Sequence, residues 1–157
     1  MTGIVRPAKC AHPLPGWRAT CTSVAVIYVL LAASILVRGA RASMAGFGVP
    51  EATLASPHYQ DAIFWVYAHM LVLGLVVGFV GRSAEDGRFQ QGFARLMVVI
   101  SAGFTFLDVR ASDSPLGHGL YRGTVSLAPA LVGAVVTLLF AHLALCRRAC
   151  GLDRRRG

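Results

Sequence analysis

Four long apolar stretches separated by five polar segments dominate the pattern of this chain. They lie at about 19–38, 60–81, 92–108 and 123–146. A bilayer core about 30 Å thick needs roughly 20 helical residues per crossing, so each stretch has about the length of one transmembrane helix. The pattern therefore predicts an all-α membrane protein, in which four transmembrane helices form an up-down bundle over 1–157. Short basic tails at 1–17 and 147–157 flank this single domain.

The boundaries of these stretches are signalled unequally. Ser56 followed by Pro57 is typical of a helix N-terminus, because serine caps backbone N–H groups and proline needs no hydrogen bond at the first helical position. The third stretch is less clear, since only the residues between Arg95 and Asp108 are uninterrupted. Both charged side chains can reach a membrane surface, so a complete crossing and a short, tilted one both remain open.

Composition and charge support a membrane location and give an orientation. A hydrophobic fraction of 55% is too high for the surface of a soluble domain of this size. The tails and the middle loop share one face, which holds eleven basic and three acidic residues and has a net charge of +8. The other face is neutral, with Arg38, Arg41, Arg110 and Arg122 against Glu51, Asp61, Asp108 and Asp113. Because basic residues favour the cytoplasmic side, both termini are expected there.

The same charges indicate the partners of the chain. Most basic residues of the positive face lie beside helix ends or in the tails, where they contact anionic lipid, so we expect the lipid bilayer as partner and no nucleic acid. The expected location is a multi-pass position in the cytoplasmic membrane of a bacterium. An alternative is that residues 1–42 form a cleaved signal, since Ala40-Arg41-Ala42 fits a small-x-small site; this would leave three crossings.

Small residues at helical spacing predict where the helices pack. In lipid, close approach of backbones replaces the hydrophobic effect as the main source of helix association. The residues expected at such packing faces are Gly74, Gly78, Gly133 and Thr137. They are expected to hold the bundle together, or to form the contact of a homodimer or of a larger membrane complex.

Polar residues of three helices recur every three or four positions near the neutral face. Ionisable groups at membrane depth are costly and usually face the bundle interior or water. This arrangement predicts an outer-leaflet polar cavity that binds a ligand. Its expected lining is Arg38, Asp61, His69, Thr105 and Asp108. The alternative is structural: the charged residues mark the membrane surface and pair with one another, and His69 makes one hydrogen bond.

Cofactor chemistry finds little support in the sequence. His69 and His142 would lie about 15 Å apart in depth at about 1.5 Å per residue, so they could not clamp one haem within a single chain. No cofactor is predicted, although a quinone or a haem bound through one histidine stays an alternative near His69. No metal is expected either, because His, Cys, Asp and Glu show no ligand spacing.

Three functions remain open. No nucleophile motif, phosphate-binding loop or catalytic carboxylate pair is present, which favours a non-catalytic accessory subunit or small-ligand binder. One alternative is a membrane enzyme or redox component that acts on a lipid or quinone through His69, Asp108 and Arg38. The other is a proton-coupled transporter, which would have to be oligomeric because four short helices enclose little space.

Overall fold

The computed structural model describes residues 16–123 and 125–151, with side chains up to residue 145. Every regular element in this part of the chain is a helix: α1 (Trp17–Arg38), α2 (Ala40–Ala45), α3 (Glu51–Leu54), α4 (Pro57–Ser83), α5 (Gly87–Ala111) and α6 (Ala128–Gly151). Four of them, α1, α4, α5 and α6, are long and apolar enough to cross a membrane. The all-α class and the four span-length helices are thus confirmed, and they indicate a multi-pass membrane protein.

The helix ends follow local chemistry. Helix α4 begins at Pro57 after Ser56, as the sequence predicts, although the Ser56 side chain makes no capping hydrogen bond. Helix α5 begins after Asp86, whose carboxylate accepts hydrogen bonds from the backbone N–H groups of Arg88 and Phe89 at 3.2 and 3.1 Å. Its 25 residues continue on both sides of the stretch that the sequence marks as uninterrupted. At about 1.5 Å per residue this length suffices for a full crossing.

Helix α6 begins later than its apolar stretch. The stretch starts near residue 123, but residues 125–127 form a turn and the helix starts at Ala128. Pro129 then stands in the first turn, where its missing N–H costs no hydrogen bond. Residues 125–127 therefore belong to the connection between α5 and α6.

Helices α1 and α4 form a tight antiparallel pair. Gly81 lies against Cys21 and Gly74 against Tyr28, so the two chains run in opposite directions along the contact, and Gly78 lies between the two glycines. A Cβ atom at Gly74 would approach that of Tyr28 to 3.0 Å, and one at Gly81 would collide with that of Cys21. The absence of side chains at these glycines is what allows the backbones to approach.

Helices α5 and α6 form the second antiparallel pair. Thr105 lies against Gly133, where an added Cβ would come within 2.5 Å of the threonine Oγ1. One turn further along both helices, the Thr137 hydroxyl lies 3.0 Å from Ser101 Oγ, and Ser101 is fully buried. Contact through small and hydroxyl-bearing residues is the packing mode expected between helices in lipid.

Large side chains fill the space between the two pairs near the start of α1. We name this the inner end and the opposite one the outer end, after the orientation predicted above. Trp17 meets Phe93 edge-to-face with ring centroids 6.0 Å apart, and Met97 and Phe140 are fully buried nearby in the same core cluster. The inner end is thus packed with apolar side chains from α1, α5 and α6.

A small cap closes much of the outer end. Helices α2 and α3, which the hydrophobic pattern does not predict, bury a cluster made of Ile35, Met44, Val49, Leu54 and Ile63. The loop that precedes α6 joins this cap, because the Arg122 N–H donates to the Phe47 carbonyl oxygen at 2.9 Å. The Phe47 and Tyr121 rings also lie in contact, with centroids 5.7 Å apart. The cap therefore connects the two helix pairs at one end of the bundle.

Substitution of Gly81 by alanine tests the α1–α4 contact. We expect Gly81→Ala to lower the free energy of unfolding by about 1–3 kcal/mol, because the new methyl group overpacks against Cys21. Gly103→Ala is the matched control, since no heavy atom outside the local helix lies within 4 Å of its added Cβ. The measurement is unfolding by dodecyl sulfate in mixed micelles, followed by circular dichroism. Equal stabilities of the two variants would contradict the close contact.

Candidate functional site

A cavity of about 210 Å³ lies between the two helix pairs at the outer end. All four long helices and the turn at Phe47 contribute to its wall, which is mostly apolar. Helix α6 fills little of this space, because its lining residues Ala128, Pro129, Val132 and Gly133 are smaller than Phe140 further in. The cavity thus results from small residues placed opposite the other helix pair.

Among the described residues that line this cavity, Asp108 is the one with a charged side chain. It is half-buried and lies in the last turn of α5, where the partial negative charge of a helix C-terminus disfavours an anion. Among the described residues, the one salt bridge joins Arg41 to Glu51. Asp108 has no basic partner in this part of the chain. The carboxylate therefore faces the cavity without compensation from an ion pair within the described part of the chain.

The four tyrosines of the chain lie in the lining of this cavity or in the cap beside it. Tyr28 and Tyr67 line the cavity, while Tyr59 and Tyr121 pack in the adjoining cap. Asp108 lines the same cavity as Tyr28 and Tyr67, and its charge also acts on Tyr121 in the cap. The Tyr59 hydroxyl is buried and has no hydrogen-bond partner among the described residues. The site thus combines one carboxylate, several phenol groups and an apolar wall.

Tyr121 lies in the loop before α6, outside the span-length helices. Burial raises the pKa of Tyr121 well above its usual range, and the neighbouring Tyr67, Tyr59 and Asp108 raise it further. The phenol therefore keeps its proton to higher pH than an exposed tyrosine and remains a potential hydrogen-bond donor in the cap.

The cavity opens through the side of the bundle. Val66 on α4, Phe104 on α5 and Val132 on α6 all line it, yet they are 48%, 41% and 43% exposed. These residues belong to helices of membrane-spanning length, and their exposed surface is apolar. The opening therefore faces the region that lipid would occupy.

Two of the five residues expected to form a polar cavity lie together. Asp108 lines the cavity, and Thr105, one turn earlier on α5, packs against the lining residue Gly133. The Thr105 hydroxyl is not directed to a ligand, because it donates to the Ser101 carbonyl oxygen at 2.7 Å. Thr105 therefore supports the wall next to the carboxylate.

The structure places the other three elsewhere. Arg38, Asp61 and His69 are exposed and do not line this cavity. Arg38 lies in a separate surface groove beside α2 and α3, and His69 Nδ1 lies 2.7 Å from the Trp65 carbonyl oxygen of its own helix. A role of these three residues in ligand binding stays a prediction.

Sequence reasoning did not select Tyr28 and Tyr121 for the site. Tyr28 falls within an apolar stretch, where a tyrosine resembles an ordinary core residue, and Tyr121 lies in a loop that the pattern leaves unplaced. No sequence signal distinguishes either residue, because Tyr28 reaches the cavity only through the rotation of α1, and Tyr121 packs in the cap beside the cavity.

Comparisons with known proteins add no further assignment. No family model matches the chain, and the searches of curated proteins and of solved structures find no similar protein. Within the described part of the chain, no three His, Cys, Asp or Glu side chains are grouped as a metal site would require. The function must therefore be argued from the cavity itself.

Substitution of Tyr121 by phenylalanine tests the environment of this phenol. An unfolded tyrosine ionises near pH 10, whereas Tyr121 with its raised pKa holds its proton to higher pH. The protonated Tyr121 phenol therefore stabilises the folded state fully below pH 10, and this stabilisation is lost as pH rises above 10, where the unfolded tyrosine ionises first. We expect the unfolding free energy of wild type to fall more steeply than that of Tyr121→Phe above pH 10, by up to about 1.4 kcal/mol per pH unit. Equal slopes from pH 10 to 11 in denaturant titrations would contradict this.

Proposed function

We propose that this protein is a non-catalytic four-helix membrane protein that binds a small ligand in the outer cavity. The observation that carries the proposal is the Asp108 carboxylate, which faces a mostly apolar cavity at membrane depth without an ion pair in the described part of the chain. Ionisable groups at such depth are expensive and are typically retained for function. An apolar pocket with a few convergent polar groups is also the usual form of a small-molecule site.

The proposed orientation is an up-down bundle with both termini in the cytoplasm. It is supported by the net charge of +8 on the face that holds both tails and the α4–α5 loop, and by the antiparallel course of the two helix pairs. In this orientation the cavity lies in the outer leaflet and opens sideways to lipid.

The alternative functions have less support. A lipid- or quinone-modifying enzyme would need His69 and Arg38 beside Asp108, but both are exposed and lie outside the lining of the cavity. A transporter would need a path to the inner end, which Trp17 and Phe140 fill together with their neighbours. A binding site that is accessible from one leaflet fits the observed packing better.

Filling the cavity tests the proposed function. We expect native mass spectrometry of the detergent-purified protein to detect a bound lipid, quinone or other small molecule. Ala128→Phe should remove it, because this lining position is exposed at the cavity and the added ring occupies the space. Ala102→Phe is the matched control, since Ala102 is exposed but does not line the cavity. Purified wild type without a ligand, or equal retention by both variants, would contradict the proposal.

Cysteine labelling tests the orientation. Leu116, which is 72% exposed in the loop before α6, and Glu85, in the exposed α4–α5 loop, are each replaced by cysteine in a cysteine-free background. We expect a membrane-impermeant maleimide to label Leu116→Cys in intact cells, and Glu85→Cys only after permeabilisation. The reverse pattern would mean that the termini are outside, and labelling of both in intact cells would mean that α5 does not cross the membrane.

A further inference from the structure

The charge of the cavity selects among possible ligands. The described residues of its lining include one carboxylate and no basic side chain, and Asp108 forms no salt bridge within that part of the chain. An isolated ionised group in a low-dielectric region is strongly disfavoured unless it becomes neutral or a partner of opposite charge compensates it. A cationic ligand would supply this compensation, whereas an anionic ligand would add repulsion.

The aromatic residues favour the same charge. Tyr28, Phe47, Tyr67 and Phe104 contribute rings to the wall of the cavity. The faces of aromatic rings carry partial negative charge and attract cations, and several rings around one ammonium group are a recurring means of recognising quaternary ammonium compounds. A neutral ligand of the same shape would gain the apolar contacts but not this attraction.

The shape of the cavity indicates the rest of the ligand. An apolar cavity of about 150 Å³ can hold benzene, so one of about 210 Å³ suits a group somewhat larger than one ring. Any remaining part would leave through the lateral opening, which Val66, Phe104 and Val132 border with apolar surface. That part of the ligand should therefore be hydrophobic.

We propose that the outer cavity binds the head of a small amphipathic organic cation, with Asp108 as its counter-ion and the surrounding aromatic rings as its cage. This inference rests on the proposed function, because it requires the cavity to be a ligand site. It adds the chemical class of the ligand, and it makes Asp108 the residue that selects a cationic over a neutral or anionic ligand.

The test uses two probes that differ in charge alone. Benzyltrimethylammonium is the cation, and neopentylbenzene is its neutral isostere, with carbon in place of nitrogen. Binding to the full-length protein in nanodiscs is measured by titration calorimetry for wild type and Asp108→Asn. Partitioning of a probe into lipid affects the apparent affinities of wild type and variant equally, so it cancels in their ratio for that probe. The exposed carboxylate Asp61, which does not line the cavity, provides the control variant Asp61→Asn.

We expect Asp108→Asn to weaken binding of benzyltrimethylammonium at least about tenfold and to change that of neopentylbenzene less than about twofold. Asp61→Asn should leave both unchanged. Retained binding of neopentylbenzene also shows that the Asp108→Asn cavity is folded. An equal change for both probes, or none for the cation, would overturn the inference while leaving the cavity as a ligand site. Failure of both probes to bind wild type would overturn the inference, whereas the proposed function would be overturned only if native mass spectrometry also detected no ligand.

A competition experiment on wild type does not depend on the folding of a variant. Phenylmethanesulfonate has a similar shape to benzyltrimethylammonium and the opposite charge. Isotopically labelled benzyltrimethylammonium is first bound to the protein, and the unlabelled cation or the sulfonate is then added as competitor. We expect the sulfonate to leave the labelled cation bound even at concentrations at least about tenfold above those at which the unlabelled cation displaces it. Equal displacement by the sulfonate would show that Asp108 does not select the charge of the ligand.

Discussion

Close contact at residues with little or no side chain determines how the rest of this bundle is arranged. Lipid offers no hydrophobic gain for association of apolar helices, so contact has to come from backbones that approach each other. Gly81 against Cys21 joins α1 to α4, and Gly133 against Thr105 joins α5 to α6. The two pairs then meet each other mainly through large side chains. The molecule is thus made of two tight pairs with a wider seam between them.

The seam explains both the stability of the inner end and the opening at the outer end. Trp17, Phe93 and Phe140 occupy it at the inner end, whereas α6 offers Pro129 and Gly133 at the outer end. The same glycine thus serves two purposes, since it permits contact within one pair and leaves space beside the other. A larger residue there would lose the contact and the cavity together.

The sequence predicted the four long helices, whereas the polar cavity stays a prediction, of whose five residues Asp108 lines the outer cavity. Length and hydropathy determine which segments can cross a membrane, and the rise per residue places His69 and Asp108 by depth. Depth does not say which way a side chain faces, however, and a helix that is apolar on most sides gives no periodicity from which to read its rotation. Arg38 and His69 therefore share a leaflet with Asp108 in the predicted orientation without sharing its cavity. Helix α3, with four residues, is too short to produce a pattern at all.

For the ligand site proposed above, the lateral opening would change which ligand concentration determines occupancy. Val66, Phe104 and Val132 surround the opening with apolar surface on helices of membrane-spanning length. A ligand that arrives through it is drawn from the lipid phase, so occupancy follows the mole fraction of that ligand in one leaflet rather than its amount in water. Lipid acyl chains are present there in large excess and compete for the same apolar wall. A ligand that is selected over lipid acyl chains must then carry a group that interacts with the Asp108 carboxylate, because a hydrocarbon chain has none.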